Sequence, residues 1–196
     1  MARINVVTNE TANTEQQALF AAIQSQLGIV PNFLKVFANS PVALKAFLGL
    51  HGIANGGSLD PQTRERIALA LAQQNTCEYC LSAHTAIGRK AGLSSAEIEA
   101  NRAGSSQDAK AAVAVKLARS LVEHTGDITT AELQEARNAG YSDADIVEII
   151  MFSASTNTFL GGGDSFKFGN FDSGKIIFEL IHAGIGEHQT RVVMRN

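Results

Sequence analysis

A ten-residue pattern occurs twice in this chain: Arg89-Lys-Ala-Gly-Leu-Ser-Ser-Ala-Glu-Ile98 and, 48 positions on, Arg137-Asn-Ala-Gly-Tyr-Ser-Asp-Ala-Asp-Ile146. In each copy a glycine ends one helix, and a serine two residues later caps the next, with an acidic residue at that helix's third position (Ser94 with Glu97, Ser142 with Asp145). A chain with this joint at two places is committed to helices packed on helices. The rest agrees: alanine occurs 29 times, proline only three times, and runs of β-branched residues are few, so the sequence predicts an all-α fold. Ten aligned positions, six of them identical, fit a duplication, and they fit equally two helical hairpins reaching one solution independently.

The remaining helices follow from their start and stop signals. Asn13-Thr-Glu-Gln16 reads as a capping box before an amphipathic stretch through Leu19, Phe20, Ile23 and Leu27, stopped by Gly28. A short apolar segment, Phe33 to Phe37, follows Pro31. Pro41 opens a helix through Leu44, Phe47, Leu48 and Leu50 that ends at Gly56-Gly57. Asp60-Pro61 supplies an N-cap and a proline at the first helical position, for a helix running to about Asn75. The next starts around Cys77 and ends at Gly92. An Ala-rich helix from about Gln107 to His124 and a capping box at Thr129-Thr-Ala-Glu132 lead into the second joint and a helix over 143–159. Gly161-Gly-Gly163 stops that helix, and the apolar cluster in Lys175 to Ile185 suits a short helix or a strand equally. Residues 1–160 are therefore taken as one helical domain and 161–196 as a C-terminal tail.

Composition narrows the function. Sixteen Lys plus Arg against nineteen Asp plus Glu give a net charge of −3, without the basic footprint of a nucleic-acid binder. No apolar stretch approaches the roughly 20 residues of a membrane span, and the first ten residues carry no secretory signal pattern, so a cytoplasmic protein with neither nucleic-acid nor membrane partners is expected. In a reducing compartment two cysteines three positions apart, Cys77 and Cys80, suggest redox or metal chemistry rather than a structural staple.

On a helix that begins at or just before Cys77, Cys77, Cys80 and His84 share one face. A helix N-terminus lowers a thiol pKa from about 8.5, and a neighbouring thiol converts a sulfenic acid into a disulfide, which keeps the chemistry reversible. His84 is placed to move protons near neutral pH, and Glu65 on the preceding helix could fix its tautomer. Inert buried cysteines and a solvated Glu65 within Arg64-Glu65-Arg66 are the plain alternatives. A closed zinc site needs four ligands and there is no second CxxC, so the zinc alternative is Cys77, Cys80 and His84 with Glu65 as the fourth ligand. Covalent haem needs a histidine directly after the second cysteine, where Leu81 stands. No metal and no cofactor are expected. His51, His124, His182 and His188 are scattered and read as structural or surface residues.

Glu65, eleven residues, Cys77-Glu-Tyr-Cys80, three residues and His84 resemble the E-x11-C-x-x-C-x-x-x-H signature of the AhpD-like (alkylhydroperoxidase D-like) branch of the carboxymuconolactone decarboxylase family. Gly28-Ile-Val-Pro-Asn32, Ser40-Pro41 and Ala139-Gly-Tyr-Ser142 extend the resemblance to the peroxidase-related subgroup over residues 15 to 159. It implies an AhpD-like helical fold, assembled as a homotrimer or homohexamer. It also implies a thiol peroxidase, an oxidoreductase acting on a hydroperoxide. Carried over by position, Cys80 is the peroxidatic cysteine, Cys77 its disulfide partner, and Glu65 and His84 the proton relay. The reductant would be a dithiol, on a lipoyl-bearing or thioredoxin-like protein. Two departures stand out. Tyr79 occupies the place where the best-studied peroxidase of the family has a second histidine, and a phenol of pKa about 10 is a poor base at neutral pH. Leu160-Gly-Gly-Gly163 interrupts a helix that relatives continue, and residues 164–196 match no pattern. The alternatives are a carboxymuconolactone decarboxylase-type lyase, whose branch lacks the cysteine pair, and a non-catalytic thiol redox sensor.

Overall fold

The computed structural model describes residues 4–160, and they form nine helices with no strand among them. The elements expected in 161–196, including the Lys175–Ile185 cluster, His182 and His188, lie outside the described residues. No helix among the described residues is long and apolar enough to cross a membrane. The described residues divide into two compact units, 4–56 and 57–160.

The first unit holds α1 (Thr14–Leu27), α2 (Asn32–Phe37) and α3 (Pro41–Asn55). The Asn13/Gln16 capping box forms as the sequence predicts, and Gly28, at φ +76°, closes α1 with a left-handed residue that glycine adopts without strain. Phe20, Ile23, Leu34 and Leu44 are buried, and Phe47 gathers the aromatics around it: Phe33 edge-on at 5.6 Å, Phe37 at 5.3 Å and His51 at 4.5 Å between ring centres. His51 is thus a packing residue, as expected.

The second unit is built around α4 (Pro61–Gln74). Its residues Ile67 to Ala72 are all essentially inaccessible, because alternating large and small side chains make the helix apolar all round and neighbours cover each side. Those neighbours are α5 (Glu78–Lys90), α6 (Ser95–Arg102), α7 (Ala109–Glu123) and α9 (Asp143–Leu160), with α8 (Thr130–Asn138) packed on α7 and α9. Burying Ile67, Leu69 and Leu71 contributes about 1.5–3 kcal/mol each. A polar substitution at any of them would open the unit from its centre.

Both copies of the repeated pattern fold as the same joint. Gly92 (φ +97°) and Gly140 (φ +88°) end α5 and α8, the following amides reach back to the carbonyls of Gly88 (2.9 Å) and Ala136 (3.1 Å), and Ser94 and Ser142 accept from the amides of Glu97 and Asp145 at 3.1 Å. The same displacement carries one helix start onto another: Asp60 caps α4 by accepting from Thr63 N at 2.9 Å, and Asp108 caps α7 by accepting from Ala111 N at 2.8 Å. Helices α4, α5 and α6 therefore correspond in order to α7, α8 and the first turns of α9.

Candidate active site

The cysteines stand where α4 turns into α5. α4 ends at Gln74, Asn75 is its C-cap, and Thr76 takes a left-handed conformation at φ +52° that reverses the chain. Cys77 N then bonds back to Ala72 O at 3.0 Å, closing the end of α4 while Cys77 itself becomes the extended N-cap of α5. Its Sγ accepts from Cys80 N at 3.3 Å, the contact a serine or aspartate makes at other helix starts. One residue thus ends one helix and starts the next, so both sulfurs sit at the N-terminus of α5. The two are joined as a disulfide with their Cα atoms 5.3 Å apart, and both are nearly buried, Cys77 at 2% exposure and Cys80 at 8%. Tyr79 between them is exposed.

His84 lies one turn past Cys80 on α5, where spacing by four residues keeps two side chains on one face. Its Nδ1 is 2.9 Å from Glu65 Oε2 on α4, and both side chains are largely buried. A carboxylate accepting from Nδ1–H fixes the tautomer and leaves Nε2 as the nitrogen that exchanges protons. The Arg64-Glu65-Arg66 run is not one solvated face: Arg64 donates to Leu59 O, Arg66 to Glu97, and Glu65 turns to His84. The structure thus joins the four predicted residues as two bonded pairs, Cys77–Cys80 and Glu65–His84, on a single helical hairpin. Among the described residues no group of three or more His, Cys, Asp or Glu side chains is arranged to hold a metal ion.

The sequence pattern does not reveal two further features. Asn75 Nδ2 donates to Asn157 Oδ1 at 2.7 Å, tying the thiol turn to α9 across 82 positions of chain. Nothing in the spacing marks that pair. Glu97, legible only as a cap partner, is a buried carboxylate with four donors: Ser106 Oγ at 2.5 Å, Asn101 Nδ2 at 3.0 Å, Gln107 N at 2.7 Å and Arg66 Nε at 2.7 Å. Burial alone would raise its pKa, but these donors outweigh that and hold it at about 2. A cleft of about 280 Å³ opens at the N-terminal end of α4, lined by Asp60, Arg66, Lys110 and Tyr141 among others, and includes none of the four predicted residues. Burial, with further push from Asp108 and Asp60, raises the Tyr141 phenol to about 12.

Residues 41–123, which include all four predicted site residues, match the sequence profile of the carboxymuconolactone decarboxylase family. No curated protein matches the chain. Among solved structures, the chain is similar to an uncharacterized peroxidase-related protein from Silicibacter sp. TM1040, at 26% identity and a TM-score of 0.68, covering 82% of this chain and 90% of that one. A peroxidase-related protein from Ralstonia eutropha JMP134, described as an alkylhydroperoxidase AhpD core, is similar at 21% identity and a TM-score of 0.72, covering 81% and 86%. The debrominase Bmp8 shares the fold at 17% identity and a TM-score of 0.63, covering 82% and 87%.

Proposed function

We propose that this protein is a CxxC-dependent thiol peroxidase of the AhpD-like branch of the carboxymuconolactone decarboxylase family, whose profile residues 41–123 match and whose peroxidase-related structures the chain resembles. The observation that carries this reading is the Cys77–Cys80 disulfide closed in the first turn of α5, one turn from a histidine held by a carboxylate. A helix N-terminus favours a thiolate, and a proton donor beside it serves the leaving oxygen.

In the reaction, the Cys80 thiolate attacks the terminal oxygen of a hydroperoxide. The O–O bond breaks, Cys80 becomes a sulfenic acid, and the alkoxide takes a proton from His84. The Cys77 thiolate then attacks the Cys80 sulfur, forming the S–S bond and expelling hydroxide, which is protonated to water. One hydroperoxide and two thiols give one alcohol, one water and one disulfide. Glu65 serves the Glu65/His84 relay by stabilising the imidazolium and orienting Nε2. A dithiol on a lipoyl-bearing or thioredoxin-like protein returns the disulfide to two thiols by exchange. Action as a homotrimer or homohexamer in the cytoplasm belongs to the same proposal. With Tyr79 in place of a second relay histidine, water carries part of the proton traffic and turnover is slower than with two histidines.

Steady-state consumption of cumene hydroperoxide with dihydrolipoamide as reductant tests the reading. Wild type is expected to turn over many times and Cys80→Ser not at all. Disulfide reduction without peroxide turnover would make the pair a redox sensor instead, and the peroxidase reading would fall.

A further inference from the structure

Among the described residues only Thr76 and Thr125 have positive φ without being glycine, at +52° and +55°. Each ends the first helix of one of the two corresponding hairpins. For a β-branched residue this conformation costs about 1–2 kcal/mol and persists only where the surroundings hold it. At Thr125 the support is local. Gly126 follows at φ +95°, and the preceding C-cap His124 bonds through Nδ1 with Ser120 Oγ and Ser120 O, each at 3.1 Å. At Thr76 the next residue is Cys77, committed as the N-cap of α5, so no glycine can absorb the reversal. Thr76 Oγ1 donates to Asn75 O at 2.8 Å, and the turn's side-chain link to the rest of the unit is the 2.7 Å bond from Asn75 to Asn157 on α9. Asn157 is 8% exposed, a polar side chain inside a helix interface, where an amide without a partner would cost about 1–3 kcal/mol.

We propose that Asn157 is a positioning residue for the Cys77–Cys80 thiols, acting through its bond to Asn75. Fixing Asn75 fixes where α4 ends, which sets the left-handed turn at Thr76 and the direction in which Cys77 enters α5. That direction determines whether Cys77 Sγ meets Cys80 N and whether the two sulfurs face each other. The proposal rests on the preceding reading only in taking the two thiols as the reactive groups, and its test needs no peroxide turnover.

The test is a double-mutant cycle on the full chain with Asn75→Ala, Asn157→Ala and the pair. It is read by the equilibrium of the disulfide against dithiothreitol and by the rate at which iodoacetamide alkylates the reduced protein, with circular dichroism to verify the helices. Losing the strut loosens the turn, so each single variant is expected to shift the equilibrium toward the dithiol by about fivefold, the size of one net hydrogen bond, and to slow alkylation. The pair is expected to do no more than either single variant. Wild-type values in Asn75→Ala would overturn the proposal whatever Asn157→Ala does, including failing to fold. Additive effects in the pair would also overturn it, because Asn157 would then not act through Asn75. A wild type that consumes no peroxide but shows the cycle as expected would sink the peroxidase reading and leave the strut standing.

Discussion

The α4–α5 and α7–α8 hairpins answer the same problem with different turns. Both begin at an aspartate N-cap, both reverse at a left-handed threonine, and both end at a glycine-serine joint. The first needs only residues 75–77 between its helices, whereas the second uses 124–129. The longer loop has room for a glycine and a self-contained cap, in which Ser120 and Thr129 both donate to Glu132 and hold its pKa at about 2. The short one makes Cys77 serve both helices and seats Cys80 in the first turn of α5. A tight turn thus places thiols at a helix N-terminus, and support that a loop would supply comes from α9 instead. The two hairpins share a frame, and only the one with the shorter turn carries the cysteine pair.

Substitutions should separate the two hairpins in proportion to what each position does. Cys80→Ser is expected to lower hydroperoxide consumption by about a thousandfold or more, because it removes the sulfur proposed to attack the peroxide. Changes at Ser120 or His124 in the other hairpin should leave the per-molecule rate at wild type, and a comparable loss there would break the comparison. His84→Ala should lower the same rate by about a hundredfold, with Glu65→Gln giving a smaller loss in the same direction, measured by pre-steady-state thiol oxidation.

The acidic partners of the two joints give the next contrast, in stability. Glu97→Ala strips a buried carboxylate from Arg66, Asn101, Ser106 and Gln107, and should cost about 3–5 kcal/mol in denaturant unfolding. Asp145→Ala, at the equivalent position near the surface, should cost about 1 kcal/mol. Since the Glu97 pKa is depressed to about 2 in the folded protein, its contribution is complete above the unfolded value of about 4.3 and is lost as pH falls toward 2. Glu97→Gln should flatten the acid limb of the stability curve in that window. The smallest effect is expected at the left-handed threonine: Thr76→Gly should raise stability by about 0.5 kcal/mol through relief of backbone strain, seen as a small shift in the denaturant midpoint.

Most of this organisation is legible in the residues themselves. Caps and stops are local chemistry, so Asn13 with Gln16, Asp60 before Pro61, Ser94 with Glu97 and Thr129 with Glu132 mark helix starts without reference to any tertiary partner. Cys77, Cys80 and His84 are legible for the same reason, since they lie within three turns of one helix. Glu65 needs a little more, because only the antiparallel return of α5 along α4 brings it to His84. The Asn75–Asn157 bond depends on how α9 crosses the end of α4, a property of packing that no local pattern encodes. Glu97 shows the same limit: its cap role is local, but its burial and its bonds to Arg66 and Gln107 arise only when α4, α6 and the start of α7 meet.

In the proposed reaction, hydroperoxide closes the thiol pair of the tight turn into a disulfide. The most direct measurement is a free-thiol count on the reduced protein before and after one equivalent of cumene hydroperoxide. Both thiols, the only two in the chain, should be lost together, with the Cys80→Ser variant keeping its single thiol. Two thiols surviving the oxidant would contradict the proposed reaction.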